Sequence, residues 1–180
     1  MYLDYAATSP MLPDVFNAMH DAETRFFANA SALHTPGHLA MNEIEDVRKT
    51  LAKLIGAKPS EIIFTSGASE SNNTIIRTFA EHQIETSPLE HHSIIELADK
   101  VSGNKLPKLY SYMLANNEIG EILDIQKIVK EARGLTAPKE DSLFEPISEW
   151  GKPLVTDRRG AYVHSDLTQV LGKIPINVYE

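Results

Sequence analysis

The segment 61–79 constrains the fold more than any other part of the sequence. Its apolar run Glu61-Ile-Ile-Phe64 predicts a strand over residues 61–65, and apolar residues at helical spacing predict a helix from Ser69 to about His82. Between the two lies a turn of small residues. Backbone N–H groups at a helix start have no intrahelical partner, and the helix dipole favours negative charge there. The segment therefore predicts either an anion site at the turn or a capped helix start without a ligand.

The turn itself has residues that suit a phosphate group. Gly67 and Ala68 are small enough to let a phosphate approach the backbone closely. Thr65, Ser66 and Ser69 can add hydroxyl donors.

Strands and helices alternate along most of the remaining chain. Besides the segment above, we predict helices over about 12–27, 38–55, 92–101 and 124–134, and strands over 83–87, 109–114 and 161–165. This order predicts an α/β fold with a mainly parallel sheet flanked by helices. We treat residues 1–180 as a single partial domain in which the irregular segment at about 134–159 is an insertion.

Composition excludes several classes of function. The formal net charge of −8 argues against non-specific binding to nucleic acid. The sequence has neither an apolar run of membrane-spanning length nor a basic, apolar leader, so we expect a cytoplasmic protein without a membrane segment. The absence of cysteine excludes disulfides, thiolate zinc sites and a cysteine nucleophile among these residues. His34 and His38 have i, i+4 spacing, but Pro36 and Gly37 interrupt a helix there, so we expect no metal site.

Four clusters follow predicted strands, where ligands gather in parallel sheets. They are the turn at 66–69, Glu90-His-His92, the segment 115–120, and His164-Ser-Asp166 with Gln169. Each has a structural explanation. His91 can cap the next helix or lie in solvent, Asn116 can form a plain turn, and Asp166 can cap a helical turn with Gln169 at the capping-box position.

Together the clusters indicate a narrower chemistry. A pyridine ring that carries a phosphate needs a phosphate site, a flat imidazole for its face, an acid beside its nitrogen and an amide for its phenolic oxygen. An aspartate beside the ring nitrogen keeps that nitrogen protonated.

The same segments resemble, in order along the chain, those of cysteine desulfurases, the class V aminotransferase-like enzymes that use pyridoxal 5′-phosphate. The resemblance covers Tyr2-Leu-Asp-Tyr-Ala-Ala-Thr-Ser-Pro10, residues 61–73, Glu90-His91, Ala115-Asn-Asn-Glu-Ile-Gly120, His164-Ser-Asp-Leu-Thr-Gln169 and Gly172-Lys-Ile-Pro175. Selenocysteine lyases share much of this pattern. The resemblance implies the N-terminal part of the large domain of a fold type I PLP-dependent transferase.

The resemblance also implies a role for each matched residue. Ala68 and Ser69 would bind the cofactor phosphate, although the family usually has Thr at the position of Ser69. His91 would stack on the pyridine as the catalytic residue. Asp166 would pair with the ring nitrogen, Gln169 would bond the phenolic oxygen, and Asn116 would lie near substrate and ring.

Three departures from the family pattern stand out. The family's cofactor-binding lysine lies in a Ser-x-His-Lys-like motif that these residues lack, and Lys173 belongs to a different match. The family's sulfur-accepting cysteine has no counterpart. Between Asp99 and Leu109 the chain is shorter than the family by about a strand and a helix.

These observations leave two hypotheses of different class. One is half of a PLP enzyme that removes sulfur from L-cysteine for iron–sulfur cluster or thio-cofactor synthesis, completed by a partner chain carrying the lysine and the cysteine. The other is a non-catalytic relative that binds a partner. For the first we expect a homo- or hetero-oligomer and a sulfur acceptor protein. An unrelated phosphate-binding α/β domain would account for the turn at 66–69 but not for Asp166 with Gln169.

Overall fold

The computed structural model describes residues 1–135 and 161–178. Its helices are α1 (Pro13–Arg25), α2 (Thr35–Ile55), α3 (Ala68–Thr78), α4 (His92–Val101) and α5 (Ile125–Leu135), with a 3₁₀ turn at Pro59–Glu61. Its strands are β1 (His82–Thr86), β2 (Lys105–Ser111) and β3 (Ala161–His164). Most of the insertion predicted at 134–159 lies outside the described residues.

The chain divides into two compact units. One comprises Met1–Phe64 with Ile174–Glu180, and the other comprises Thr65–Lys173. The assignment of the whole chain to one domain stays a prediction. No helix in the described ranges is both long enough and apolar enough to cross a bilayer.

In the first unit, local capping sets the ends of α2. This helix begins earlier than predicted because the His34 Nδ1 accepts a hydrogen bond from the Gly37 N–H at 3.2 Å, which caps the first turn. His34 therefore has a structural role, and the described residues hold no group of three acidic or histidine side chains able to bind a metal. The helix ends at Gly56, whose φ of 72° is left-handed and whose missing Cβ leaves room for the Asn177 side chain.

The apolar faces of α1 and α2 are largely exposed. The residues of α2 that are buried are small ones, Gly37, Ala40 and Ala52. On α1, Phe16 and Met19 remain 62% and 56% exposed. Helical spacing therefore predicted these two helices correctly, although little of their apolar surface is buried by the described chain.

The strand predicted at 61–65 is wrong. The chain forms the 3₁₀ turn at Pro59–Glu61 and then continues in extended conformation, with Ile62 at φ −90° and ψ 125°. No strand in the described residues pairs with this segment, and Ile63 is 82% exposed. The Ile62 carbonyl accepts a hydrogen bond from the Arg48 guanidinium instead. Extended backbone without a neighbouring ladder is not a strand.

In the second unit, the described strands form one parallel sheet in the order β1-β2-β3. Leu109 lies opposite Ile84 on one side and Tyr162 on the other. The parallel sheet flanked by helices that the sequence predicts is confirmed. α3 ends at Thr78 rather than near His82, because the chain reverses through Glu81, whose φ is 70°, before entering β1.

Strand β2 begins at Lys105, four residues earlier than predicted, and includes Pro107. The β1–β2 pairing passes from His82 opposite Lys105 to Ile84 opposite Leu109, so the register shifts between these pairs. Pro107 lies within this irregular stretch of β2. Because proline has no N–H to donate, an irregularity is where a paired strand tolerates it.

The core of this unit lies between α3, α4 and the sheet. Ile76, Ile94, Ala98 and Leu109 are each at most 4% exposed and form one cluster. The partly buried Phe79 and Tyr162 rings pack beside it, with centroids 4.9 Å apart. This packing fixes the starts of α3 and α4 relative to the ends of the strands.

We expect Ile76→Ala to lower the free energy of unfolding by about 2–5 kcal/mol, because it leaves a cavity among fully buried side chains. Urea denaturation of the protein measures the change. Ile119→Ala is the matched control, since Ile119 is 67% exposed, and it should change stability by less than about 0.5 kcal/mol. Equal losses for the two variants would contradict this description of the core.

Candidate functional site

Three loops meet at the carboxyl edge of the sheet. The loop after β1 carries His91, the loop after β2 carries Asn116, and the loop after β3 carries Asp166. The strands are parallel, so these loops leave the sheet at the same edge. A hydrogen bond of 3.2 Å from the Leu114 N–H to the Asp166 carbonyl extends the contact of the second and third loops beyond the strands.

A buried asparagine joins two of these loops to α3. The Asn72 side chain donates from Nδ2 to the Asp166 Oδ2 at 2.8 Å and to the Ser93 Oγ at 3.2 Å. The Ser93 Oγ lies 2.8 Å from the His91 Nδ1. Asp166 and His91 therefore belong to one hydrogen-bonded network, which we call the Asn72 network (His91, Ser93, Asn72 and Asp166).

The same helix brings the phosphate candidates to this network. Ala68 and Ser69 form the first turn of α3, and Asn72 follows about one helical turn later. Residues four apart lie on the same helix face, so Asn72 and Ala68 are neighbours on one face of α3. Ala68 and Ser69 therefore lie about one helical turn before the residue that bonds Asp166 and is linked through Ser93 to His91.

The start of α3 leaves donors for an anion. The N-cap residue Gly67 makes no side-chain capping bond, and a Cβ built on it would meet no heavy atom within 4 Å. Space is therefore present beside the turn, and the first N–H groups of α3 have no intrahelical partner. The residues at this turn fit a phosphate group.

The hydroxyls of Thr65 and Ser66 shape the turn rather than extend the donor set. The Thr65 Oγ1 lies 2.8 Å from the Ser71 Oγ and donates to the Gly67 carbonyl at 3.1 Å. The Glu70 carboxylate accepts from the Ser66 N–H at 2.7 Å and lies 2.6 Å from the Ser66 Oγ. These bonds lower the pKa of Glu70, the Ser66 hydroxyl contributing most.

His91 and Asp166 also have the structural roles that the sequence left open. The His91 Nδ1 accepts from the Ser93 N–H at 3.1 Å and so caps α4. The Asp166 Oδ1 accepts from the Thr168 N–H at 2.9 Å. Capping fixes the orientation of both side chains, and the His91 ring remains exposed. Their roles toward a cofactor stay predictions.

Asn116 connects the loop after β2 to the loop after β1. Its Oδ1 accepts from the Glu118 and Ile119 N–H groups at 2.8 and 2.9 Å, which forms the turn that the sequence allowed. Its Nδ2 donates to the Leu89 carbonyl at 2.8 Å. Asn116 therefore holds the segment that leads into His91.

Gln169 is directed along its own turn. Its Oε1 accepts from the Lys173 Nζ at 3.2 Å. Gln169 and Lys173 therefore share a contact within this turn, and the role of Gln169 toward a cofactor stays a prediction.

Sequence reasoning missed Asn72 and Ser93 and gave Glu90 no role of its own. Asn72 is 3% exposed and Glu90 is 5% exposed. The one signal in the sequence was the spacing of Asn72, which puts it on the face of α3 that starts at Ala68. Nothing in the sequence indicated which helix and loop that face would meet.

Two carboxyl groups at this edge have opposite pKa shifts. Burial alone would raise the pKa of Asp166, but hydrogen bonds from Thr168 and Asn72, together with nearby His164, outweigh it and lower that pKa. Burial raises the pKa of Glu90 to about 7, and the charge of Asp166 adds to this, against the opposing effect of the Met113 N–H. The site therefore holds an ionised Asp166 beside a Glu90 that titrates near neutral pH.

The contacts of Glu90 are consistent with its raised pKa. Its Oε1 accepts from the Met113 N–H at 2.5 Å, which ties the loop after β1 to the end of β2. Its buried Oε2 has no hydrogen-bond partner among the described residues. Below this edge, burial lowers the pKa of His164, whose Nδ1 lies 2.9 Å from the Ser111 Oγ.

We expect Glu90→Gln to change how stability depends on pH. The folded protein keeps a proton on Glu90 up to a pKa of about 7, whereas the reference value is 4.5. The folded state therefore binds more protons between these values, so wild-type stability should fall as pH rises through this window. The variant has no proton to release there and should lack this fall. Melting temperatures measured from about pH 5 to pH 8 test the difference.

Two controls isolate Glu90 in that comparison. His164, whose lowered pKa acts in the opposite direction, is present in both proteins and cancels in the difference. Glu96→Gln changes an exposed glutamate of α4 and should follow the wild type. Parallel curves for the wild type and Glu90→Gln would show that Glu90 is ionised in the fold like an ordinary surface carboxylate.

Comparison with known sequences places this geometry in a family. The sequence model of the aminotransferase class-V family matches residues 1–109. Cysteine desulfurase IscS of Dictyoglomus turgidum is 36% identical over 192 residues, covering 100% of this chain and 48% of that protein. The mitochondrial cysteine desulfurase of Drosophila melanogaster is 33% identical over 192 residues, covering 99% of this chain and 40% of that protein.

Solved structures agree with the sequence matches. A NifS-like protein superposes with a TM-score of 0.79 at 26% identity, covering 100% of this chain and 52% of that one. A NifS-like protein from Rickettsia africae superposes with a TM-score of 0.77 at 28% identity, covering 99% of this chain and 51% of that one. The chain spans about half the length of the relatives that it matches. It belongs to the aminotransferase class-V family, and the relatives that it resembles within that family are cysteine desulfurases.

Proposed function

We propose that this chain forms the cofactor-binding part of a pyridoxal-phosphate-dependent cysteine desulfurase. Such an enzyme removes sulfur from L-cysteine, leaving alanine and a persulfide for iron–sulfur cluster or thio-cofactor synthesis. The observation that carries the proposal is the Asn72 network, which links Asp166 and His91 to the helix whose first turn holds the phosphate candidates. A partly buried aspartate that is kept ionised and linked to an exposed imidazole is typical of a functional site.

Each residue has a role that its environment supports. The first-turn N–H groups at Ala68 and Ser69 would bind the phosphate, helped by the dipole of α3. The ionised Asp166 would pair with the pyridine nitrogen and hold a proton there. The exposed ring of His91, fixed through its Nδ1, would lie against the face of the pyridine. Asn116 would position the loop that carries His91.

The bound cofactor would supply an electron-withdrawing pyridinium ring next to the substrate. This chain would position the ring and place a negative charge beside it, because Asp166 and His91 are already held by hydrogen bonds before any ligand enters. Residues held in this way need little rearrangement on binding.

The complete reaction needs two further groups. By the resemblance, the lysine that attaches the cofactor and the thiol that accepts sulfur have no counterpart among these 180 residues. We propose that sequence beyond them supplies both, in the same polypeptide or in a complementary partner chain. Self-association, a sulfur acceptor protein and a cytoplasmic location stay predictions, and cysteine and selenocysteine are both candidate substrates.

Cofactor binding can be tested without the lysine. Pyridoxine 5′-phosphate has the phosphate, the ring nitrogen and the phenolic oxygen, but it has no aldehyde to react with an amine. We expect the protein to bind it, and Asp166→Asn to weaken binding by on the order of tenfold or more, because a charge-assisted hydrogen bond is lost. Ligand fluorescence measures affinity and also reports protonation of the ring nitrogen.

Asp99→Asn is the matched control, since it removes an exposed carboxylate of α4. It should bind like the wild type. Absence of binding by the wild type, or equal binding by Asp166→Asn and Asp99→Asn, would overturn the proposal that this edge holds the cofactor.

A second experiment tests catalysis. The chain is combined with a polypeptide that carries a Ser-x-His-Lys-like motif and a cysteine, and sulfide and alanine are measured from L-cysteine. Turnover in the mixture that Asp166→Asn abolishes would support the desulfurase. Binding of pyridoxine 5′-phosphate without turnover in any such mixture would favour the non-catalytic relative.

A further inference from the structure

We propose that Asn72 is a positioning residue that fixes Asp166 for the nitrogen, and His91 for the face, of one pyridine ring. This inference rests on the proposed function and deepens it. Asn72 is 3% exposed and so has almost no surface to offer a ligand. It acts through Asp166 directly and through Ser93 on His91.

The geometry of the amide carries this assignment. Asn72 is 3% exposed, and its Nδ2 contacts the Asp166 Oδ2 at 2.8 Å and the Ser93 Oγ at 3.2 Å. An amide nitrogen has two hydrogens, so both contacts can be satisfied at once. One buried group therefore fixes the separation between the loop after β3 and the start of α4.

The neutral charge of the amide matters as much as its position. A lysine at this place would neutralise Asp166 and compete with the ring nitrogen for it, and an aspartate would repel it. Asn72 instead donates a hydrogen bond while leaving the full negative charge on Asp166. His164 is the titratable group that also acts on Asp166, and the charge of Asp166 in turn helps to raise the pKa of Glu90.

The network has two arms: Ser93→Ala cuts only the arm to His91, whereas Asn72→Ala cuts both. The arm to Asp166 is the direct bond from Asn72. The arm to His91 passes through the Ser93 Oγ, which lies 2.8 Å from the His91 Nδ1. If Asn72 and Ser93 only filled space, replacing them would not change the pKa of Asp166 and the His91 Nδ1 signal in different ways.

The test compares Asn72→Ala and Ser93→Ala in the protein without ligand and with pyridoxine 5′-phosphate. Carbon NMR of the side-chain carboxyl gives the pKa of Asp166, and nitrogen NMR reports the His91 Nδ1. We expect Asn72→Ala to raise the pKa of Asp166, to weaken binding by on the order of tenfold, and to reduce the fraction of bound ligand with a protonated ring nitrogen. Ser93→Ala should shift the His91 Nδ1 signal, leave the pKa of Asp166 near its wild-type value, and weaken binding by about threefold.

Asn73→Ala is the control, because it removes the neighbouring amide of α3, whose Nδ2 donates to the Ser69 carbonyl within the same helix. It should leave the pKa of Asp166 and the His91 signal unchanged. An Asp166 pKa that does not move in Asn72→Ala, or Ser93→Ala and Asn72→Ala with the same pattern of effects, would overturn the inference.

The outcomes separate this inference from the proposed function. If wild type fails to bind pyridoxine 5′-phosphate, the proposed function fails, and the pKa of Asp166 without ligand still tests the positioning bond. If wild type binds but Asn72→Ala leaves Asp166 unchanged, the positioning role alone is wrong.

Discussion

Parallel pairing of β1, β2 and β3 is the constraint on which the candidate site depends. In a parallel sheet the strands end at the same edge, so the loops that carry His91, Asn116 and Asp166 are brought together by the ladder itself. The helices before β1 and between β1 and β2 pack on this sheet through Ile76 and Ile94. The starts of α3 and α4, where N–H groups lack partners, are thereby held next to the same loops.

Electrostatics then distinguishes groups that the fold has placed side by side. Asp166 is partly buried and Glu90 is buried. Donors from Thr168 and Asn72 keep Asp166 ionised, whereas a single backbone N–H leaves Glu90 titrating near neutral pH. Environments that separate the pKa values of neighbouring acids are typical of sites with chemistry. The ionised member is also the one that the family resemblance assigns to the ring nitrogen.

The side chains proposed to bind the cofactor also make structural hydrogen bonds. His91 caps α4 while its ring stays exposed, and Asn116 closes its own turn while it holds the Leu89 carbonyl. Asp166 accepts from its own loop through one oxygen and from α3 through the other. Each side chain is held by its structural bond, so in the proposed site it would already be oriented, which would lower the entropy lost on binding.

Local patterns determined much of the fold from the sequence alone. Apolar spacing and caps located all of the described α-helices to within a few residues, and Asp124 caps α5 as expected. Sequence also named the three loops of the site, because their residues follow strand patterns. The strand predicted at 61–65 is wrong because a strand exists only when a neighbour pairs with it. The early start of β2 also depends on pairing, because Pro107 lies where the register with β1 shifts.

What tertiary structure decided was which distant groups meet. The sequence showed Asn72 as one polar residue of an amphipathic helix, and only the packing of α3 against α4 and the sheet placed it between Ser93 and Asp166. The raised pKa of Glu90 likewise required its burial beside another carboxylate. Helix spacing, capping and chemical type are properties of neighbours in the chain and can be read from it. Contacts across many residues, and the desolvation that shifts a pKa, exist only once the chain has packed.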